Sequence, residues 1–93
     1  MSKYIEKVVL QNVPDPQVLN IGSCRIVEIK LAGGGTGEIN LWIERNMLYP
    51  SHDPRWFQVV HTGATYPSEY EHLKMLVTRS GTETHVLREQ TAI

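Results

Sequence analysis

The stretch RWFQVVHTGATYP, residues 55–67, decides the fold class of this chain. Large apolar side chains fall on both faces of its alternating first half, which predicts a central β-strand over 55–61. The small and hydroxyl-bearing residues that follow predict a tight turn at 62–67. Such a turn either only reverses the chain or lets a ligand approach its backbone N–H groups, and the sequence leaves both interpretations open.

The segments on either side also alternate with period two, and no window has the apolar spacing of a long amphipathic helix. We therefore predict a mainly β fold, α+β at most, with a small antiparallel sheet of about five to six strands. Ser68 and Glu71 have the spacing of a capping box, which predicts one short helical turn over 68–71. The remaining predicted strands cover residues 4–10, 23–31, 38–45, 72–78 and 82–89.

Three of the connectors between these strands contain proline or glycine patterns that predict their structure, and residues 46–54 are predicted to form a loop. Pro14 and Pro16 predict a turn or edge segment after the first strand, because proline lacks the N–H that a central strand needs. The loop AGGGTGE, 32–38, predicts a hairpin; a phosphate-binding loop is the alternative, but no lysine and hydroxyl residue follow its last glycine. The RSG turn at 79–81 predicts that the last two strands pair antiparallel, and the QTAI tail is expected to fray.

The length and composition limit what the chain can be. With 93 residues, 41% of them hydrophobic, it forms a single domain, 1–93, around one core of Val, Ile and Leu. A net charge of -1 gives no overall attraction to nucleic acid or to an anionic membrane, so neither is an expected partner. Cys24 is the single cysteine, and the N-terminus has no signal peptide, so we expect a cytoplasmic protein.

Catalytic and metal motifs are not evident. The four histidines, at 52, 61, 72 and 85, form no HxH or HxxxH pair, so the sequence predicts no metal site and no cofactor. Neither a GxSxG elbow nor an HExxH motif occurs, and the sequence predicts no catalytic residue. The chain is therefore not expected to be an enzyme.

The order of the motifs carries a family resemblance over much of the chain. The chain resembles a widespread family of small phage-encoded domains in the order of its motifs. These motifs are YIEKVVL, NIGSCRIVEI, LW at 41–42, FQVVHTG, Pro67, EHLKMLV and THVLRE. Thr62, Gly63 and His85 match that family's turn and last strand. His61 and Ala64 stand where the family has glycine and histidine, so ligand choice is expected to differ.

The resemblance implies a function. Similar small phage proteins act as sponges of the anti-CBASS or anti-Thoeris type, which bind cyclic nucleotide immune signals without cleaving them. The chain is then expected to be a phage anti-defence protein of the host cytoplasm. Tight capture, at a dissociation constant of roughly nanomolar order or about -12 kcal/mol, favours a homo-oligomer with the ligand at or near the subunit interface.

A nucleotide needs stacking surfaces and phosphate donors. Trp42, Trp56, Tyr66 or Tyr49 can stack on a base, although for Trp42 packing is favoured over an oligomer interface or ligand stacking. Arginines and the turn can hold phosphate, although ordinary surface ion pairs also explain the arginines. The predicted ligand-binding residues are Trp42, Arg55, Trp56, Thr62, Gly63, Tyr66 and Arg88.

Two other functions fit the same residues. A protein-binding inhibitor of a bacterial defence enzyme or nuclease needs an exposed aromatic patch, which Trp42, Tyr49 and Tyr4 can supply. An enzyme that degrades the signal needs an acid/base pair, for which His61 and His85 in one pocket are the candidates.

Overall fold

The computed structural model describes residues 2–33, 37–48 and 51–90, and within them the regular structure is entirely β. Seven strands follow one another along the chain. They are β1 Lys3–Gln11, β2 Gln17–Leu19, β3 Arg25–Leu31, β4 Glu38–Asn46, β5 Arg55–His61, β6 Tyr70–Val77 and β7 Glu83–Glu89.

The strands form two antiparallel sheets. The three-stranded sheet has the order β1-β4-β3 and the four-stranded sheet the order β2-β5-β7-β6. The predicted mainly β class, the hairpin pairing of β3 with β4 and of β6 with β7, and the interior position of β5 are confirmed. The structure has seven strands in two sheets and not the expected single sheet of five to six strands. The alternation within a strand does not show which strands share a sheet, so the sequence did not predict the division.

The core lies between the two sheets. On β4, Ile39, Leu41 and Ile43 alternate with partly exposed residues and are fully buried, as period-two geometry requires. Phe57 and Val59 of β5 and Val86 of β7 face them from the four-stranded sheet. Burying each such side chain contributes about 1.5–3 kcal/mol relative to leaving it exposed, so this aliphatic contact holds the sheets together.

The connector after β1 contains the short strand β2. Two hydrogen bonds between Gln11 and Gln17 close this connector. Gln11 N donates to Gln17 Oε1 at 2.8 Å, and Gln17 Nε2 donates to Gln11 O at 2.7 Å. Strand β2 pairs only with Arg55–Phe57 of β5. Pro14 and Pro16 thus lie in the segment before a three-residue edge strand, and the rest of β5 is left without a neighbour on that side.

The predicted helical turn over 68–71 is wrong. Tyr70 N donates to Pro67 O at 3.1 Å, which closes a tight turn, and β6 begins at Tyr70. The carboxylate of Glu71 accepts two N–H groups of Arg88 on β7 instead of capping a helix. Strand pairing with β7 therefore overrides the local capping pattern.

Two neighbouring edge strands each contain a β-bulge. The register of β3 shifts between Ile26 and Glu28, and that of β6 between His72 and Lys74. The two bulged regions lie against each other, since Lys74 Nζ is 3.3 Å from Glu28 Oε1. An open depression of about 180 Å³ lies between them.

Some predictions fall on other parts of the chain. Residues 34–36 of the glycine-rich loop, Tyr49 and residues 91–93 of the tail lie outside the described ranges. Across the part of the chain that the structure describes, no helix has the length and apolar character needed to cross a membrane.

Candidate functional site

The turn after β5 is held against β7. Thr62 N donates to Glu83 O at 3.2 Å, and Ala64 N donates back to His61 O at 3.0 Å. Gly63 has a φ of 95°, which a glycine adopts without strain. The turn therefore fixes Thr62 beside the first residues of β7.

Thr62 starts a chain of hydrogen bonds across the face of the four-stranded sheet that points away from the core, the outer face. Its Oγ1 lies 2.8 Å from Glu83 Oε1 and 2.7 Å from His85 Nε2. His85 Nδ1 in turn lies 2.9 Å from His72 Nε2 on β6. We call these four residues the polar cluster: Thr62, His72, Glu83 and His85.

The positions of the protons in the polar cluster follow from its geometry. An ionised carboxylate only accepts hydrogen bonds, so the one O–H of Thr62 donates to Glu83. The lone pair of Thr62 Oγ1 then accepts from His85 Nε2–H, which assigns the tautomer of His85. Nδ1 of His85 consequently presents a lone pair to His72 when His85 is neutral.

A cleft of about 270 Å³ opens beside the cluster. It lies along the stretch of β5 that β2 leaves uncovered, between that strand, the proline-rich connector and the turn. Gln58 Nε2 donates to Pro14 O at 3.3 Å and connects the two walls. The residues that line the cleft are Asn12, Val13, Pro14, Gln58, Val59, Val60, His61, Ala64 and Thr65.

The cleft and the polar cluster share a wall. Val60 lines the cleft and lies directly opposite His85 in the pairing of β5 with β7. Neighbouring strands are about 4.8 Å apart, so a single small ligand can contact both features. Val60 and Leu87 are buried on the outer face, beside His85 and His72, and give the imidazoles an apolar base.

Three of the predicted ligand-binding residues, Thr62, Gly63 and Tyr66, lie around this end of β5, and a fourth, Trp56, lies near the start of the strand. Thr62 belongs to the polar cluster, and Gly63 forms the turn beside it. Trp56 is on the outer face, two residues before Gln58, and is 41% exposed. Tyr66 follows the cleft-lining Thr65 and is 43% exposed.

The other three predicted residues lie elsewhere. Trp42 is on the outer side of the three-stranded sheet, opposite Lys7 and Glu28. Arg55 lies at the far end of β5, where its Nη1 donates to Ser23 Oγ at 3.3 Å. Arg88 is paired with Glu71 at 2.6 Å. One ligand therefore cannot contact all seven predicted residues within one chain.

The two ends of the four-stranded sheet differ in charge. At the end away from the polar cluster, burial raises the pKa of the Cys24 thiol, while the guanidinium groups of Arg88, Arg45 and Arg55 act in the opposite direction. Burial also raises the pKa of Tyr70 on β6, which the carboxylates nearby reinforce. Arg55 and Arg88 thus lie at one end of the sheet, and the pair of His72 and His85 lies towards the other.

His72 is the functional candidate that the sequence analysis missed. His61 and His85 were the predicted acid/base candidates, whereas the imidazole that hydrogen-bonds to His85 is that of His72. The RSG turn predicted that β6 and β7 pair, and this pairing brings the two histidines together. The bulge at Leu73, however, changes the register from the one that a regular hairpin predicts. In the ranges that the structure describes, no three His, Cys, Asp or Glu side chains are placed to hold one metal ion.

The fold and the site define a small antiparallel β domain of two sheets, with a polar cluster beside a cleft at one end of the larger sheet. The model of a family of domains of unknown function, DUF7352, matches residues 1–92, and the chain belongs to that family. Comparisons with curated proteins and with solved structures found no match.

Proposed function

We propose that this protein binds a nucleotide signal and holds it without chemical change, as a phage anti-defence protein in the host cytoplasm. The observation that carries the proposal is the shared wall between the cleft and the polar cluster. It offers an apolar recess for a base and imidazole groups for a phosphate within the reach of one small ligand.

The size of the cleft supports a ligand that extends beyond one chain. Pockets that enclose a small ligand usually start at about 300 Å³, and this cleft has about 270 Å³. It is large enough for one base but small for a cyclic dinucleotide. A second copy of the chain would enclose the other half, which supports a homo-oligomer with the ligand near the interface.

Aromatic side chains stand where a base can stack. Trp56 projects from the same face of β5 as Gln58 and Val60, which line the cleft. Tyr66 is exposed and directly follows the cleft-lining Thr65. Base–aromatic stacking contributes about 1–3 kcal/mol per base, so these two rings would contribute to affinity whichever base the ligand carries.

The proton arrangement of the polar cluster supports binding rather than catalysis. His85 Nε2 donates to Thr62, so this imidazole is not poised to remove a proton from the hydroxyl. The Thr62 O–H is held by Glu83. A phosphate is best placed on the His72 side, away from the Glu83 carboxylate, where it can displace the hydrogen bond between the two imidazoles and accept from His72 Nε2–H instead.

A thermal-shift screen against cyclic di- and trinucleotides and cyclic ADP-ribose isomers tests this proposal. One ligand is expected to raise the melting temperature of the wild-type protein and to be recovered intact by chromatography. Trp56→Ala is expected to lose most of the shift, and Trp42→Ala, on the other sheet, to keep it. The absence of any shift, or recovery of a cleaved ligand, contradicts the proposal.

Exposed apolar side chains favour a second candidate, a protein-binding inhibitor of a defence enzyme. Val18 and Trp56 lie opposite each other at the edge of the four-stranded sheet, and Met75 and Val77 are exposed on β6. These side chains lie at opposite edges of the four-stranded sheet, and exposed apolar side chains of this kind can contact a partner protein. Inhibition of a purified bacterial defence nuclease that Met75→Asp abolishes would support it, whereas no inhibition across a panel would not.

A further inference from the structure

Two imidazoles of the polar cluster approach each other closely across neighbouring strands. His72 on β6 and His85 on β7 have ring centroids 5.1 Å apart and an interplanar angle of 59°. Their nearest nitrogens, His72 Nε2 and His85 Nδ1, are 2.9 Å apart. The nitrogens of both rings thus converge on one point between two neighbouring strands.

We infer that His72 Nε2 and His85 Nδ1 form a two-histidine site for a divalent transition-metal ion such as Zn²⁺. Neutral imidazole is a preferred ligand for Zn²⁺, Cu²⁺ and Ni²⁺. At a metal–nitrogen distance of about 2.0–2.1 Å, two nitrogens in a tetrahedral site are about 3.3 Å apart. To admit an ion, the two nitrogens must therefore move slightly apart and both rings must turn so that their lone pairs point at the ion.

The remaining contacts of His85 have the arrangement of a supporting shell. A metal-bound histidine generally donates its other N–H to a fixed acceptor, which sets its tautomer and orientation. Here His85 Nε2 donates to Thr62 Oγ1, and Thr62 donates to Glu83. Thr62 and Glu83 are thus positioning residues for the proposed site and do not themselves touch the ion.

Binding of the ion replaces the hydrogen bond between the two imidazoles. In the neutral pair, His72 Nε2–H donates to His85 Nδ1. When the metal binds, that proton moves through solvent to His72 Nδ1, and both converging nitrogens become lone-pair donors. No other group is oxidised, reduced or transferred.

Two protein ligands leave coordination positions open. Among the residues that the structure describes, no third His, Cys, Asp or Glu joins the pair, so water or an anionic oxygen would complete the coordination of Zn²⁺. The ion would also add positive charge beside the cleft, where the polar cluster otherwise contributes the Glu83 carboxylate. The site does not depend on the proposed nucleotide function, although a phosphate oxygen suits an open position.

Calorimetric titration of chelator-treated full-length protein with ZnCl₂, in the absence of nucleotide, tests the inference. Saturable binding is expected, with one ion per chain, or half an ion per chain where two copies share it. His72→Gln and His85→Ala are each expected to weaken binding at least about tenfold, and Thr62→Val to weaken it about 10- to 100-fold through the supporting shell. His52→Ala, at the other end of the sheet, is the matched control.

Three outcomes would overturn the inference: wild-type protein that binds no Zn²⁺, histidine variants that bind it as tightly as wild type, or loss of binding in His52→Ala. Circular dichroism checks that each variant is folded. His72 is exposed, so His72→Gln gives the decisive comparison if His85→Ala does not fold. Because no nucleotide is present, failure of zinc binding leaves the thermal-shift result to judge the proposed function separately.

Discussion

Thr62 Oγ1 lies 2.7 Å from His85 Nε2, although 23 residues separate them in the chain. The pairing of β5 with β7 places His61 opposite Thr84. Thr62 follows His61 in the turn beyond β5, and its side chain contacts His85 on the outer face of β7. The contact ties the turn to β7, and through His72 to β6. Two of the residues that carry the family resemblance are therefore joined by a direct hydrogen bond.

Thr84 is a buried residue whose substitution should stabilise the fold. It is 0% exposed, and its Oγ1 has no hydrogen-bond partner in the described part of the chain. Thr84→Val removes this unsatisfied hydroxyl at nearly constant shape, so the free energy of unfolding should rise by about 1 kcal/mol in urea denaturation. Val86→Thr, two residues along on the same buried face, should lower it by a similar amount. A destabilised Thr84→Val would contradict the assignment.

Gly22 is required by both its backbone and its surroundings. Its φ is 63°, its N–H donates to Asp53 O at 2.8 Å, and an added Cβ would overlap the side chain of Ser51. Gly22→Ala should lower the free energy of unfolding by about 3 kcal/mol. Gly37→Ala, also at positive φ but in open space, should cost about 1 kcal/mol. Equal effects at the two positions would exclude the steric overlap.

Arg45 joins β4 to the 51–53 segment from a buried position. It is 6% exposed, contacts Glu6 at 3.2 Å, donates to Ser51 O at 2.6 Å and lies 3.1 Å from a ring nitrogen of His52. Arg45→Ala should lower the free energy of unfolding by about 3 kcal/mol, because a buried acceptor loses its donor and the packing is lost.

Arg25→Ala is the matched control for the Arg45 substitution. Arg25 pairs with Glu44 at 3.3 Å, but its side chain is exposed. An exposed ion pair contributes little, so this change should alter stability by less than about 1 kcal/mol. If the two substitutions have the same effect in thermal or chemical denaturation, burial does not distinguish the two ion pairs.

Glu44 should make part of the stability depend on pH. The hydrogen bond from Arg25 lowers the pKa of the Glu44 carboxyl below its usual 4.5, and Lys3 contributes in the same direction. A depressed acid pKa stabilises the fold above pH 4.5, and that contribution is lost as the pH falls through the lowered value. Glu44→Gln should therefore flatten the acid limb of the stability profile. High salt should reduce the difference between the two proteins, and a salt-independent difference would rule out the ion pair as its cause.

Cys24 should react slowly in the folded protein. Burial raises the pKa of its thiol, so less of the nucleophilic thiolate is present at neutral pH. Alkylation by iodoacetamide, followed by mass spectrometry, should be slower in native protein than in urea at the same pH. Arg88→Gln, which removes a guanidinium that lowers the pKa, should slow it further. Equal native and unfolded rates would show that burial does not protect the thiol.

The strand content was predictable because the buried residues alternate. In β4 and β5, Ile39, Leu41, Phe57 and Val59 follow a period of two, and no helical pattern competes with it. The division into two sheets was not predictable, because a strand's pattern fixes its faces and not its neighbours. The Ser68–Glu71 capping pattern failed because Glu71 has a stronger partner in Arg88.

The candidate site was predictable only in part. The small residues after β5 marked the turn, and Thr62 and Gly63 lie at the polar cluster. The pairing of His72 with His85 depends on a bulge that adds one residue to β6, and no local sequence motif predicts this bulge. Arg55 and Arg88 lie at the far end of the sheet because their places on β5 and β7 are set by strand register.

The paired bulges at β3 and β6 also bear on self-association. Each places an extra residue in a sheet's outermost strand and disturbs the regular row of backbone groups that a foreign strand would need. The ion pair between Lys74 and Glu28 puts charge at the same border. This side of the molecule is therefore protected against edge-to-edge aggregation, whereas β1 pairs with β4 without interruption and offers a strand from another chain a regular edge.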